Sequence, residues 1–359
     1  MSLPEPNFDR LLTVLWRRGE PDRVPFIELF HDAEIVEQIT GEKLGDYSGD
    51  PGEYWRQFAR RHVAFWHRLG YDCVTAGPAV PMQYKHVLAD DTAGTSRQQR
   101  SWQVEGDGLV ANMEDFERYP WPRPEDINYS FLETVAGLLP DGMKIIATKS
   151  GVLENVMWIM GYTGLALALR DDPPLCQAMF DRVGAQAVGV FEHLADMEAV
   201  GALWLGDDMG FNTQTMISPD DLRRYTFPWH KKLAAVAHAK GKPFLLHACG
   251  NLEAVMPDLI DDVGIDARHS FEDAILPVTE AKRKYGGRIA VLGGVDVDLL
   301  ARGTVDEVRA RTRRVLEECM PGGGYALGSG NSVANYIKVE NFLAMLDEGW
   351  KVGRYRSAA

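Results

Sequence analysis

One stretch near the middle of the chain, residues 202–250, decides the fold: ALWLGDDMGFNTQTMISPDDLRRYTFPWHKKLAAVAHAKGKPFLLHACG. It contains an apolar run, Ala202–Gly206, an amphipathic stretch, Pro219–Lys240, and a second apolar run, Pro243–His247. Ser218 precedes the amphipathic stretch, which opens with proline and two acids, and this order is typical of a helix N-terminus. The stretch therefore predicts a strand, a helix and a second strand, the repeating unit of a parallel α/β sheet.

The same alternation of short apolar runs and helical patterns continues along the chain. The candidate strands are Arg23–Phe30, Tyr71–Ala76, Lys144–Thr148, Ala202–Gly206, Pro243–His247, Ile265–His269, Arg288–Leu292 and Gly324–Leu327. Eight parallel strands that alternate with helices close into a barrel, so we predict an α/β fold, a single (β/α)8 TIM barrel over residues 1–359. A doubly wound open sheet is the alternative. The glycine-containing stretch Gln103–Val110 predicts a β-hairpin insertion after the second strand.

Composition and charge argue against several classes of protein. The chain has 38 lysine and arginine residues against 52 aspartate and glutamate residues, a net charge of −14, and no basic stripe for a nucleic acid. The longest apolar stretch, Val156–Leu169, is too short to span a bilayer. Four cysteines without a CxxC pair argue against a disulfide framework. The acidic N-terminus does not resemble a signal peptide, so we expect a cytoplasmic protein.

Side chains suited to catalysis follow the predicted strands. In an α/β barrel the active site lies at the carboxyl ends of the strands. The residues at these positions include Glu28, Asp207, Asp208, His247, Cys249, His269 and Glu272. Turns favour aspartate, asparagine, serine and glycine in any protein, but they do not require the histidines, the cysteine and the paired acids. We therefore expect the four carboxylates and His269 to supply the catalytic residues.

His247 and Cys249 are the candidate metal ligands. Alternate residues of an extended segment point to the same side, so the imidazole and the thiol can bind one metal ion, with zinc as the candidate. Filling of the core is the alternative interpretation of such a pair. Catalytic zinc needs a third protein ligand, and the carboxylates at neighbouring strand ends are better placed to supply it than the other cysteines.

The other strand-end residues each have a functional and a structural interpretation. Asp207 and Asp208 are adjacent, so at most one of them is expected to point into the barrel mouth. That residue could bind a ligand or transfer a proton, whereas the structural role for either is to cap a helix. His269 and Glu272 either take part in the chemistry or belong to a loop network that holds the barrel top together.

A glycine-rich segment follows the last predicted strand. Gly328 and Gly330, with Asn331 beside them, resemble a loop that cradles phosphate, and many barrels bind phosphate in this region. These residues are candidate cofactor-binding residues, although glycines also cluster in ordinary turns.

An ordered set of motifs resembles the uroporphyrinogen decarboxylase superfamily. The motifs are Leu205–Gly210, Ser218-Pro219, Pro228, His247-x-Cys249-Gly250-Asn251, Gly293–Asp296, Gly303-Thr304 with Glu307-Val308, Gly322–Tyr325 and Glu340-Asn341. The resemblance covers nearly the whole chain and implies a single (β/α)8 barrel. Members of this superfamily divide into porphyrinogen decarboxylases and zinc-dependent methyltransferases that act with corrinoid proteins, and a homodimer is common among them.

Two departures from the family pattern bear on the substrate and the metal. The decarboxylases carry an arginine-rich segment after the first strand that binds the carboxylates of their substrate, whereas this chain has Pro25–Asp32 there, without arginine. Many of the methyltransferases supply a third zinc ligand as a cysteine after the last strand, where this chain has Asn331. The departures argue against uroporphyrinogen as the substrate. They also imply a metal site that a carboxylate completes, or else a different or absent metal.

The leading hypothesis is a zinc-dependent methyltransferase that moves a methyl group between a small-molecule donor or a thiol and a corrinoid protein. The zinc ligands would be His247 and Cys249, helped by Glu28, Asp207 or Glu272. One alternative is decarboxylation of uroporphyrinogen or another carboxylate, with one of the adjacent aspartates orienting pyrrole N–H groups. The second alternative is a non-catalytic barrel that binds a small molecule.

Overall fold

The computed structural model describes residues 5–43, 51–91, 99–103, 106 and 108–355. The strands in chain order are β1 (Cys73–Ala76), β2 (His86–Asp90), β3 (Gln99–Gln103), β4 (Lys144–Ser150), β5 (Val200–Gly206), β6 (Phe244–His247), β7 (Ala267–His269), β8 (Ala290–Leu292) and β9 (Tyr325–Ala326). The helices in chain order are α1 (Phe8–Leu15), α2 (Ala33–Thr40), α3 (Pro51–Leu69), α4 (Met113–Arg118), α5 (Ser130–Ala136), α6 (Val152–Met160), α7 (Tyr162–Asp171), α8 (Pro173–Asp196), α9 (Pro219–Asp221), α10 (Phe227–Ala239), α11 (Met256–Asp258), α12 (Val278–Tyr285), α13 (Val297–Arg302), α14 (Val305–Cys319) and α15 (Val339–Val352). Short 3-10 and π-helical segments cover Pro124–Asp126, Leu222–Thr226 and Leu259–Val263.

Seven strands form one curled parallel sheet in the order β1-β4-β5-β6-β7-β8-β9. Each neighbouring pair is parallel, and helices lie in the connections between them. Successive side chains of a strand point to opposite faces. One set, which includes Ile146, Trp204 and Leu245, forms its own buried cluster, and the other set packs in the larger cluster with the helices. All seven strands overlap runs predicted as strands, so the prediction of a parallel α/β fold is confirmed.

The first predicted strand, Arg23–Phe30, does not join this sheet as a strand. An isolated parallel bridge pairs Phe26 with Leu327, where the Leu327 N–H donates to Pro25 O at 2.9 Å. On its other side the segment accepts a hydrogen bond from the Thr75 hydroxyl to Leu29 O at 2.7 Å. Because Pro25 has no N–H to donate, a continuous ladder along this segment is interrupted. The structure therefore shows a seven-stranded sheet with this segment beside β9, in place of the eight strands predicted.

The antiparallel pair β2 and β3 comes between β1 and β4 in the chain and forms a separate two-stranded sheet. Its strands precede the stretch predicted for the hairpin and share only Gln103 with it. Of the predicted hairpin, residues 104, 105 and 107 lie outside the described residues. Gly108 and Leu109 donate backbone hydrogen bonds to Met160 O and Ile159 O, at 3.0 and 2.6 Å. This part of the stretch therefore contacts the end of a helix rather than a partner strand.

Helices α6 and α7 meet at Gly161 with a bend of 97°. Gly161 has φ +73°, and a Cβ there would clash with the backbone carbonyl of Gly106, which explains why glycine occupies the bend. Within the described part of the chain, no single helix is long and apolar enough to cross a bilayer. This bent pair reaches that length and apolar content only when both helices are counted together. The N-terminus of α6 lies beside the end of β5 and so borders the candidate site.

Candidate metal centre and active-site cavity

Three side chains at the ends of β5 and β6 bring their ligand atoms together. Those of Asp208, His247 and Cys249 all lie within 4.8 Å of one another. His247 Nε2 is 3.5 Å from Cys249 Sγ and 3.5 Å from Asp208 Oδ1. Ligands held about 2.0–2.3 Å from a tetrahedral zinc ion lie roughly 3.5 Å apart, so this nitrogen, sulfur and oxygen set fits zinc. Three protein ligands leave the fourth position open, which is typical of catalytic rather than structural zinc.

The imidazole of His247 is held by a second buried histidine. His247 Nδ1 and His269 Nδ1 are 2.8 Å apart, so one of them donates a hydrogen bond and the other accepts it. Burial lowers the pKa of both imidazoles, which favours their neutral forms. When His247 Nε2 binds a metal, Nδ1 carries the proton and donates to His269. His269 therefore does not reach the triad itself but orients one of its members.

The thiol of Cys249 has two polar neighbours besides the other two members of the triad. Its Sγ is 3.4 Å from Ser270 Oγ and accepts a hydrogen bond from Asn331 Nδ2 at 3.2 Å. Burial, followed by the charge of Asp208, raises the pKa of this thiol, and a bound cation would oppose that effect. Ser270 has φ +83°, a left-handed conformation that is rare for serine and that holds its side chain beside the sulfur.

Asp207 points away from the triad. Its carboxylate accepts hydrogen bonds from the backbone N–H groups of Val152, Leu153 and Glu154 at 2.9–3.1 Å, the first turn of α6. His230 Nε2 lies 2.7 Å from the same carboxylate. The two adjacent aspartates thus face opposite sides, as the alternation of an extended chain requires. Asp207 satisfies the N-terminus of a helix and does not reach the metal triad.

Glu28 and the glycines after β9 form a closed contact rather than an open site. Ser329 donates to Glu28 through its N–H at 2.7 Å and its hydroxyl at 2.6 Å. Glu28 is fully buried, and this burial raises its pKa to about 8. A Cβ at Gly328 would clash with the Ile27 carbonyl, and one at Gly330 would come within 2.5 Å of Phe271 O. These glycines therefore allow close backbone contacts with Ile27 and Phe271, and phosphate binding by this segment stays a prediction.

Glu272 and Asn331 differ in whether they contact the triad. Glu272 is half-buried and accepts a hydrogen bond from the Gly250 N–H, and burial raises the pKa of its carboxyl group. It is not among the residues that meet at the triad. Asn331, in contrast, lines the cavity and bonds to Cys249. Of the carboxylates predicted from the sequence, only Asp208 meets the two metal-ligand candidates.

The triad opens into a cavity of about 770 Å³ at the carboxyl ends of the strands. Part of the lining is polar and includes Asp208, His247, Cys249, Asn155 and Ser150. The rest is largely aromatic, here called the aromatic wall, and includes Phe58, Trp66, Tyr84, Phe131 and Trp158. Among the described residues that line the cavity, the charged side chains are two acids and one lysine, and no arginine is present.

Sequence reasoning did not single out the polar residues contributed by β4 and α6. Lys149 and Ser150 end β4, and Glu154 and Asn155 lie in the first turns of α6. Asn155 Nδ2 donates to Ser150 Oγ at 3.0 Å. Burial and the neighbouring Asp208 raise the pKa of Glu154, whose carboxylate accepts a hydrogen bond from the Asp208 N–H. The position of Lys149 at the end of a predicted strand was the signal available in the sequence.

A curled parallel sheet with helices in its connections and a candidate metal triad at its strand ends defines this chain as a TIM-barrel-like α/β protein. The uroporphyrinogen decarboxylase (URO-D) family matches residues 107–350, and the chain belongs to this family. The resemblance recognised in the sequence is therefore confirmed.

Two known proteins are similar to this chain in sequence or in fold. A uroporphyrinogen decarboxylase from Thioalkalivibrio sulfidiphilus (strain HL-EbGR7) is 26% identical over 192 residues, which cover 52% of this chain and 51% of the relative. The chain thus spans about half the length of the curated relative it matches. A solved structure of a methyltransferase from Methanosarcina mazei superposes with a TM-score of 0.69 at 17% identity, covering 97% of this chain and 99% of that chain. At this identity the superposition shows a shared fold.

Proposed function

We propose that this protein is a zinc-dependent methyltransferase that moves a methyl group between a small donor or a thiol and a corrinoid protein. The observation that carries the proposal is the meeting of Asp208, His247 and Cys249 at the floor of an open cavity. The methyltransferase with the same fold agrees with it. We further propose that the corrinoid partner docks at the open end of this cavity.

The residues around the triad have separate tasks in this proposal. When bound, zinc supplies Lewis acidity, which polarises a heteroatom of the methyl donor or keeps a thiol acceptor in its thiolate form. His269 fixes the proton of His247 on Nδ1, which leaves Nε2 free as a ligand. Asn331 and Ser270 hold the sulfur of Cys249 in place through its two polar contacts. The aromatic wall shields one side of the cavity from water.

Zinc content tests this proposal directly. We expect the purified protein to contain stoichiometric zinc by elemental analysis, and we expect Asp208→Ala and Cys249→Ala to lose it. Cys319→Ala is the matched control, because Cys319 is a buried cysteine in α14 that contacts Val278 O and lies outside the triad. A protein without zinc, or one whose zinc survives both triad substitutions, would contradict the proposal.

Decarboxylation is the second candidate, and the curated relative named as a uroporphyrinogen decarboxylase favours it. Asp208 faces the cavity and could orient pyrrole N–H groups. However, a substrate with several carboxylates needs several cationic partners, and the described lining contains one lysine and no arginine. Incubation with uroporphyrinogen is therefore expected to yield no coproporphyrinogen, and clear formation of that product would favour this candidate over methyl transfer.

A further inference from the structure

A buried lysine on the cavity wall has no role in the proposed metal chemistry. Lys149 lies near the end of β4, is 7% exposed and lines the cavity. Its Nζ donates hydrogen bonds to Ser150 O at 2.8 Å and to Ser150 Oγ at 3.1 Å. None of the ion pairs between described residues includes Lys149, although lysines are almost never this buried unless they are paired.

The two acids whose charges act on Lys149, Asp207 and Glu154, already accept hydrogen bonds from other groups. Asp207 accepts three backbone N–H groups of α6 and contacts His230, and Glu154 accepts the Asp208 N–H. Burial lowers the pKa of Lys149 to about 8, which reflects the cost of holding an ammonium in this wall. An ammonium group has three N–H donors, and the two hydrogen bonds that Lys149 makes both go to Ser150. One donor therefore remains for an anion that enters the cavity.

The wall beside this lysine suits a flat apolar ring. Six phenylalanine, tyrosine and tryptophan side chains line the cavity, and Tyr84 and Trp158 meet edge to face with their ring centroids 5.4 Å apart. The Tyr84 hydroxyl donates to Asn155 Oδ1 at 2.6 Å, which fixes the orientation of that ring. Pockets that bind small molecules combine such an apolar lining with a few placed polar groups.

Lys149 and the triad come from three consecutive strands and line the same cavity. Lys149 is on β4, Asp208 follows β5, and His247 ends β6. Neighbouring strands of a sheet lie about 4.8 Å apart. A small compound that contacts both the lysine and the triad must therefore reach across strand ends of this spacing.

We propose that the cavity binds a monoanionic aromatic compound whose anionic group contacts Lys149 and whose ring lies on the aromatic wall. The opposite end of the compound, which carries or accepts the methyl group, then faces Asp208, His247 and Cys249. The methyl-transfer part of this statement rests on the proposed function, whereas binding of the aromatic anion does not. A methylated ammonium compound is the competing class, because aromatic rings also bind cations and the acids Glu154 and Asp208 line the same cavity. Contact with Lys149 would repel such a compound.

Three ligands of the same size and different charge test this proposal. We expect isothermal titration calorimetry of the full chain to show that 4-methoxybenzoate binds at least about tenfold more tightly than the neutral 4-methoxybenzamide. The cationic 4-methoxybenzylammonium should bind most weakly. Equal affinity for the anion and the amide, tighter binding of the cation, or no binding of any of the three would each overturn the proposal.

A pair of lysine variants locates the effect. Lys149→Met should lower the affinity for 4-methoxybenzoate by about tenfold or more and leave that for 4-methoxybenzamide unchanged, which also shows that the variant is folded. Lys149→Arg should restore most of the preference for the anion. Lys144→Met is the matched control, because Lys144 begins the same strand and donates to Glu198 O at the opposite end of the sheet. An unchanged anion preference in Lys149→Met would overturn the assignment.

The binding experiment and the zinc measurement test the two proposals independently. Both are made on the protein as purified, and neither requires a corrinoid partner or methyl transfer. If the anion preference is present without zinc, the cavity proposal stands and the methyltransferase proposal falls. If zinc is present and no anion preference is found, the reverse holds.

Discussion

Asp207 and Asp208 are neighbours in the chain, yet they lie in two different environments. The side chain of Asp207 has no exposed surface, and hydrogen-bond donors from α6 and His230 surround it. That of Asp208 is 31% exposed and shares one face of the cavity with His247 and Cys249. Both aspartates directly follow β5, so the difference arises because successive residues of the extended chain point to opposite sides.

This difference distinguishes the side chains that support the fold at the strand ends from those that can bind a ligand. A carboxylate whose oxygens are all used by backbone and histidine donors cannot also bind a metal without losing those bonds. A carboxylate that is partly exposed beside an imidazole and a thiol retains ligand capacity. The same distinction applies to Glu28, which is enclosed like Asp207, and to Asn331, which faces the cavity like Asp208.

The largest expected effect is the difference between the two aspartates in their contributions to the free energy of unfolding and to zinc binding. Asp207→Ala leaves the N-terminus of α6 unsatisfied within the core, so we expect the free energy of unfolding to fall by about 3–5 kcal/mol. Asp208→Ala should lower it by less than about 1 kcal/mol in zinc-free protein but abolish zinc binding. Urea unfolding in the presence of a chelator measures the first quantity, because bound zinc would itself stabilise the fold.

Asp207→Asn serves as the control for this comparison, because it keeps one acceptor oxygen and should lose less stability than Asp207→Ala. Equal unfolding free energies for Asp207→Ala and Asp208→Ala would show that burial does not separate the two positions.

Glu28 extends the comparison to a third carboxylate and to pH. Its pKa is raised from 4.5 to about 8 by burial, so between these values the folded protein holds a proton that the unfolded chain releases. The free energy of unfolding should therefore fall as pH rises from about 5 to 8, by at most about 1.4 kcal/mol per pH unit from this residue. Glu28→Gln, which stays neutral, should remove this part of the slope in urea unfolding at a series of pH values.

An exposed carboxylate provides the reference for the Glu28 experiment. Glu133→Gln, on the surface of α5, should leave the pH slope as it is in the unsubstituted protein. If Glu28→Gln also left the slope unchanged, Glu28 would have to be ionised in the folded state at neutral pH.

His269 tests how far the triad depends on its support. His269→Leu removes the partner of His247 Nδ1 without adding charge, and loss of such a partner lowers metal affinity by about 10–100-fold. Competition with a chromophoric zinc chelator measures this change. His193→Leu, an exposed histidine on α8, should not alter the affinity. An unaltered zinc affinity in His269→Leu would mean that the contact between the two imidazoles does not orient the ligand.

The sequence predicted the sheet better than the site. Apolar runs with helices between them report burial on both faces of parallel strands, and all seven sheet strands were found this way. Arg23–Phe30 has the same composition, but its pairing depends on where Leu327 lies in space, and the run itself contains a proline without an N–H donor. Composition alone does not register that interruption.

The sequence predicted only the part of the site that depends on the spacing of neighbouring residues in the chain. The spacing of His247 and Cys249 placed both on one side of an extended segment, and their ligand atoms do meet. The choice between Asp207 and Asp208 required knowing which residues of β5 face the inner side of the curled sheet, and the sequence pattern did not determine this. Glu154 came to the cavity because Asp207 holds the N-terminus of α6 at the end of β5, a contact between distant parts of the chain.

Asn331 gives the smallest expected effect and the finest test of the comparison. Its side-chain nitrogen donates to Cys249 Sγ at 3.2 Å, so it supports the thiol and does not itself offer a ligand atom to the metal in this orientation. Asn331→Ala should therefore lower zinc affinity by less than about tenfold, the range of one hydrogen bond. Asn331→Cys should raise the affinity, because a second thiol would stand beside Cys249. Asn212→Ala, at an exposed loop position, is the control for both. A loss of zinc in Asn331→Ala as complete as that in Asp208→Ala would instead make Asn331 a metal ligand rather than a residue that supports the thiol.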